Sequence, residues 1–286
     1  MHWSERKNSI DDYISPEYYD SIIKDYIFNE KTDLDLFREY VMGKDFDSVL
    51  ELGCGSGRAT DVTVKEVSFR TLTLVDLSRD MINFVSNKYK SKETIKFSKS
   101  DHIDYLKNTD NKYDFVYCMW SLSHSIHAHM YRDGEQKGSK DTFETVESFV
   151  KNKINENGEM YIFHFDSTSQ EQMILLSQWE KAYPLYTDIT LQSPSKRTLD
   201  KVFEQLTRDN VIEFSCEHYT GKEISYKDEE EYLELFMNFH LETFFNKTEL
   251  FDDVRSSILS MGEKYKNKDG SYKIKPGCFI YKIKRI

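Results

Sequence analysis

Asp47-Ser48-Val49-Leu50-Glu51-Leu52-Gly53-Cys54-Gly55-Ser56-Gly57-Arg58 is the stretch whose reading decides the fold. The short apolar run Val49 to Leu52 reads as a buried parallel strand. Three glycines on alternate positions then turn the chain, and Ala59 onwards can run as a helix. Such a unit brings bare backbone and a helix N-terminus up against a ligand, which only glycine permits at close range. Two phosphate-binding loops are excluded by spacing. A dinucleotide fingerprint needs glycine where Arg58 stands, and a Walker loop needs Gly-Lys-Ser/Thr after the turn.

Further positions follow in order. Thr71 to Asp76 reads as a second strand ending in an acid. Asp76 lies 19 residues beyond Gly57, close to the roughly 20 at which nucleotide-binding α/β units place a ribose-hydroxyl acceptor. Leu77 leads to Ser78, a helix N-cap, and Met81 is placed to pack on a base. A third strand, Ile95 to Ser98, runs into Asp101 and His102, and a fourth spans Tyr113 to Trp120.

Glu51-x-Gly53-x-Gly55-x-Gly57 with these later positions resembles class I S-adenosylmethionine-dependent methyltransferases over roughly residues 47 to 165. The resemblance implies S-adenosylmethionine as cofactor and S-adenosylhomocysteine as product. It implies that Glu51, Gly53, Cys54, Gly55 and Gly57 form the cofactor turn. Asp76 would meet the ribose and Met81 and Asp101 the adenine, with Leu77 and His102 as further cofactor contacts. Met119 and Trp120 would lie by the methionine end. It also implies an α/β fold: a Rossmann-like, seven-stranded, mostly parallel sheet with helices on both faces and an antiparallel last strand.

The 286 residues carry a net charge of −11, with 38% apolar and 14% aromatic side chains, as a globular chain does. An acidic surface without a basic patch argues against nucleic acid as partner. So does the absence of an Asn/Asp-Pro-Pro-Tyr run after the fourth strand. The four cysteines show no paired spacing, which points to reduced thiols in the cytoplasm. No apolar leader or long apolar run occurs, so neither secretion nor a membrane is expected.

Residues 1–46 are expected to form an N-terminal helical cap, with helices over Glu17 to Phe28 and Asp33 to Met42. In many small-molecule methyltransferases such a segment closes over the cofactor, which would set Tyr18 or Tyr19 near its carboxylate. Arg58 either pairs with that carboxylate or stands solvated in the first helical turn.

His124, His127 and His129 follow the fourth strand, where open α/β sheets place their ligands. Their spacing fits no zinc pattern, so no metal is expected. His124 is the candidate general base and His127 a candidate substrate contact. Residues 132–140, with Gly134 and Gly138, read as a flexible loop, and Asn155 to Glu159 as a turn before a fifth strand, Met160 to Phe165. Asp166 at its tip suits a cationic substrate.

A sixth strand, Val211 to Tyr219, and a seventh, Cys278 to Ile283, bracket two helical stretches, Asp228 to Phe245 and Thr248 to Tyr265. Structureless loops of that length are rare, so residues 220–276 read as a helical cap on a core of 47–219 and 277–286. Phe236 and Phe239, with Trp179, Tyr183 and Tyr186, are candidates for pocket walls. The tail layout resembles histamine N-methyltransferase and related small-amine enzymes. The function expected is methyl transfer to a small-molecule nitrogen or oxygen, amine preferred. A protein or peptide methyltransferase and a non-catalytic S-adenosylmethionine-binding protein are the alternatives. The oligomeric state and the attacking atom are open.

Overall fold

In the computed structural model, residues 20, 22–185, 191–241 and 244–286 are described. Tyr13, Tyr18, Tyr19 and Tyr186, and the start of the first expected helix, lie outside them.

Seven strands form one sheet: β1 Asp45–Leu52, β2 Ser68–Asp76, β3 Ile95–Lys99, β4 Tyr113–Met119, β5 Ile154–Phe165, β6 Ile212–Thr220 and β7 Gly277–Arg285. Their spatial order is β3-β2-β1-β4-β5-β7-β6. The first five run parallel, with Leu52 opposite both Val75 and Cys118. β7 is antiparallel to β5 and β6, so the expected seven-stranded Rossmann-like sheet is present. Val49, Leu50 and Leu52 are at most 1% exposed, which accounts for their unbroken apolar run at the centre of a sheet covered on both faces. The strand order reverses at β1 and β4, and ligands of open α/β sheets bind at that point, outside the strands' carboxyl ends.

The helices of the core are α1 Asp33–Val41, α2 Arg58–Glu66, α3 Arg79–Lys88, α4 His102–Asn108, α5 Leu122–Asp133, α6 Glu135–Lys153, α7 Gln170–Ala182 and α8 Pro194–Arg208. Local chemistry sets their starts. Thr32 and Asp35 make a reciprocal capping box for α1, Ser78 caps α3 and Asp101 caps α4. Ser169 caps α7, and Ser193 caps α8 with Pro194 in its first turn. One apolar cluster packs α5, α6 and α8 on one face of the sheet. A second packs α1, α2 and α3 on the other.

Three expectations are corrected. Residues 132–140 are not a loop: α5 runs to Asp133 and α6 starts at Glu135, joined by Gly134 at φ 87°. Gly138 is a packing residue, since a Cβ there would lie 2.6 Å from the Met130 Cα. The expected turn at 155–159 is a bulge inside β5, where the four residues 155–158 stand opposite the single residue Asp114 of β4. Finally, Ile27–Phe28 is not helical but pairs with Lys31–Thr32 around Asn29 and Glu30, whose φ angles are 48° and 64°. Two successive positive φ values are what a tight hairpin turn needs.

Between β6 and β7 lie α9 Glu229–Glu234, a π-helical turn Leu235–His240, a 3₁₀ turn Phe244–Lys247 and α10 Phe251–Gly262. Ile224–Tyr226 and Tyr272–Ile274 pair antiparallel at the base of this insertion. A third apolar cluster joins it to α7 through Ile174 and Leu175.

Candidate active site

The glycine turn leaves β1 at the strand-order reversal. Gly53 has φ 77°, and a Cβ there would lie 1.9 Å from Ser121 Oγ and 3.1 Å from His102 Cε1. Only glycine lets the turn, the β4 tip and the start of α4 meet this closely. At Gly55, φ 49°, an added Cβ would meet nothing within 4 Å, so this part of the turn faces open space. Asp76 Oδ2 accepts from the Gly55 N–H at 2.9 Å and Oδ1 from the Ser78 N–H at 2.8 Å. The acid at the end of β2 therefore holds both the turn and Ser78, the N-cap residue of the next helix. Leu77 is half-buried and Met81 buried beside it.

Glu51 lies beneath the turn rather than in it. It is 1% exposed and accepts from Thr60 Oγ1 at 2.5 Å and Tyr117 Oη at 2.7 Å. Burial, against those hydrogen bonds, pushes its carboxyl up to about 8, with Asp76 and Asp61 adding to the rise. Cys54 is buried too, and desolvation pushes its thiol up. Both support the turn from inside.

Asp33, which the sequence did not single out, joins three segments. Fully buried, it accepts from Arg58 Nη1 and Nη2 at 3.2 and 3.1 Å and from Trp120 Nε1 at 2.9 Å. Arg58 also lies 3.5 Å from Asp20, whose Oδ1 accepts from Ser56 Oγ at 2.9 Å. Neither expectation for Arg58 describes this. Its charge is shared between two acids that tie the N-terminal segment to the turn. Trp120 sits at φ 68°, uncommon for a bulky side chain. Its N–H bond to Phe163 O at 2.9 Å and its ring contact with Phe163 at 4.4 Å hold it there. Met119, just before it, is half-buried.

Asp101 is committed within the protein. Its Oδ1 accepts from the Ile103 and Asp104 N–H groups, from Ser125 Oγ at 2.7 Å and from His129 Nε2 at 3.0 Å. These hydrogen bonds outweigh desolvation and hold its carboxyl well below the usual range. His129 Nδ1 faces Arg132 Nη2 at 3.0 Å. Arginine only donates, so Nδ1 accepts and Nε2 carries the proton toward Asp101. Asp101, Asp104 and His129 have ligand-type atoms within 4.8 Å of one another, but the Arg132 guanidinium beside them opposes a second cation.

The other histidines divide by burial. His124 is exposed in the first turn of α5. His127 is buried, and its Nε2 accepts from the Ser195 N–H at 3.2 Å. Burial, with His164 and Arg197 nearby, pulls it down to about 3. It therefore holds the start of α8 rather than facing the crevice. Asp166, 4% exposed, is likewise occupied: Thr168, Gln192 and His218 all donate to it, the last at 2.7 Å. Its position between β5, β6 and α7 makes it a junction and not an open cation acceptor.

Tyr183 is buried with its ring 4.6 Å from Tyr131 and 6.1 Å from Trp179. Phe236 is fully buried against Tyr232, at the core of the insertion. Phe239 is 7% exposed and packs edge-on against His240. A second constellation was not anticipated. Glu171 Oε2 accepts from Tyr26 Oη at 2.6 Å, and Tyr26 Oη lies 3.5 Å from His240 Nε2. The Tyr26 ring meets Trp120 edge-on at 6.2 Å. No local spacing signals this group, because its members stand 145 and 214 residues from Tyr26.

Residues 49–133 match the profile of a family described as a methyltransferase domain. No curated protein matches the chain in sequence. A putative methyltransferase from Bacillus halodurans C-125 has a similar structure, 14% identical with a TM-score of 0.51, covering 88% of this chain and 98% of that one. The YcgJ protein of Bacillus subtilis is 13% identical with a TM-score of 0.50, over 88% and 98% of the two chains. At such identities the likeness is one of fold. The matched segment holds the glycine turn, Asp76, Asp101 and Trp120; this part of the chain is similar to methyltransferase domains, and the chain as a whole shares their fold.

Proposed function

We propose that the protein transfers a methyl group from S-adenosylmethionine to a small-molecule nitrogen or oxygen nucleophile, amine preferred, in the cytoplasm. The observation that carries this reading is the glycine turn at the strand-order reversal. Its middle residue, Gly55, is anchored by Asp76 yet open on its outer side, a cradle that an added Cβ would begin to fill. The residues fit the cofactor: Asp76 for the ribose hydroxyls, Met81 for the adenine, Met119 and Trp120 for the methionine end, with Leu77 and His102 as further contacts. Bound there, S-adenosylmethionine supplies an activated methyl for in-line transfer to a lone pair. The protein's own part is to align the acceptor and exclude water.

Residues 220–276 support a closed site for a small molecule, as a helical cap seated on α7. The four cysteines are free thiols, in keeping with a cytoplasmic enzyme. Among the described residues no helix is long and apolar enough to cross a membrane.

Calorimetry with S-adenosylmethionine, S-adenosylhomocysteine and NAD tests the reading. A screen for S-adenosylhomocysteine release over small amines, phenols and carboxylic acids follows. Binding of the two adenosyl compounds without NAD is expected, and absence of adenosyl binding would sink the proposal.

A further inference from the structure

We infer that Glu171 recognises the methyl acceptor, and that this acceptor is a small amine held by its nitrogen among Glu171, Tyr26 and His240. This rests on the methyl-transfer reading above.

Glu171 is 2% exposed in the first turn of α7, just beyond the carboxyl end of β5. Its carboxylate receives neutral donors, Tyr26 Oη at 2.6 Å and Gln172 Nε2 at 3.1 Å. The basic group beside it is His240, whose Nδ1 lies 4.0 Å from Oε1. Burial pulls that imidazole below its ordinary value against the pull of Glu171, so it is a poor counter-ion near neutrality. Among the described residues no Lys or Arg pairs with Glu171. A buried carboxylate so placed lacks one positive charge, and burying an unpaired anion is costly. A protonated amine supplies that charge.

Position agrees with charge. Tyr26 touches both Glu171 and Trp120, so one aromatic ring separates the carboxylate from the tip of β4. Trp120 is in turn joined through Asp33 to Arg58 beside the glycine turn. The rings of Phe239 and Phe236 pack against His240 and suit an apolar body on the amine. A carboxylic acid would meet Glu171 as a like charge, and a phenol would leave it uncompensated.

The step balances. The bound ammonium gives one proton to the Glu171 carboxylate. The freed nitrogen lone pair forms a bond to the sulfonium methyl carbon, and the carbon–sulfur pair stays on sulfur. The methylated product keeps one positive charge, and Glu171 returns its proton to water when the product leaves.

The test is calorimetry of 2-phenylethylamine, n-hexylamine, 4-ethylphenol and 3-phenylpropionate into S-adenosylhomocysteine-saturated protein, alongside product release with S-adenosylmethionine. Amine binding is expected, weakened at least tenfold by Glu171→Gln, with amine turnover falling on the order of 100-fold. S-adenosylhomocysteine affinity should be unchanged in the variant, which also shows that it folds. Amine binding within twofold of wild type in Glu171→Gln overturns the inference, as does turnover confined to the phenol or the acid. Should Glu171→Gln lose S-adenosylhomocysteine binding, Glu171→Asp takes its place. Amine binding must then persist while turnover falls, and unchanged turnover overturns the inference. A wild-type protein that binds no S-adenosylhomocysteine would instead overturn the methyl-transfer reading, and this inference with it.

Discussion

The cofactor turn and the Glu171 group differ in how the chain builds them. At the turn, Gly55 bonds an acid 21 residues on, and Glu51 bonds a threonine nine residues on. Two strands and a helix supply these two bonds. Glu171 takes its partners from residues 145 positions upstream and 69 downstream, on three separate segments. The first region is a local unit whose geometry its own residues specify. The second exists only after the sheet has closed and the insertion has packed on α7. The first should fail through strain, the second through loss of docking or charge.

Gly53→Ala attacks the local unit hardest. A Cβ 1.9 Å from Ser121 Oγ at φ 77° forces the β4 tip away, and a loss of about 3 kcal/mol is expected in urea unfolding. Asp33→Asn attacks the link between the regions. It removes the charge facing Arg58 but leaves an acceptor for Trp120, and a loss of about 2–3 kcal/mol is expected, with looser S-adenosylhomocysteine binding. A variant as stable as wild type would show that the two regions stand independently.

Protonation sharpens the contrast next. Glu51 is raised to about 8 from 4.5, mainly by burial. A raised value means the folded state holds the proton more tightly, so this stabilisation is full below about 4.5 and is lost as pH rises through about 8. Thermal unfolding of wild type should therefore lose about 2 kcal/mol between about pH 6 and pH 9, and Glu51→Gln should flatten that slope.

Gly55→Ala is the milder partner of Gly53→Ala. With open space at its Cβ, it should cost about 1 kcal/mol of stability for the positive φ. It should weaken S-adenosylhomocysteine about tenfold, or roughly 1.4 kcal/mol. Equal effects of the two alanines would break the distinction between packing glycine and cradle glycine.

The smallest effect is on the acid side. Burial lowers His127 to about 3 and His164 to about 4. Depressed values mean the unfolded chain takes up the protons first, so stability falls as pH drops from about 6.5 towards these values. A decline of roughly 1 kcal/mol by about pH 6.5, relative to about pH 8, is expected in Glu51→Gln, where the opposing slope of Glu51 is absent.

How far the sequence could be read follows the same division. Strands with unbroken apolar runs, such as Val49 to Leu52, and the capped start at Ser78 announce themselves. Gly134 and Gly138 misled, because a glycine that lets two helices touch has the same letter as one that opens a loop. Asp101, Asp166 and His127 have the residue types a ligand site needs. Their hydrogen-bond capacity is instead spent on α4, on the β5–α7 junction and on α8, which no spacing along the chain reveals. Asp33, Tyr26 and Glu171 carried no signal for the converse reason, since each lies in an ordinary local context.

By itself the sequence determined the central apolar strand, the glycine turn, the acid that holds it and hence the likeness to methyltransferase domains. These depend on backbone conformation and on contacts a few tens of residues apart, which residue types and intervals encode. Tertiary structure alone decided which polar side chains are spent on the scaffold, and that Glu171, one ring from Trp120, is buried without a Lys or Arg partner among the described residues. That outcome depends on long-range packing, which removes water from some groups and supplies partners to others.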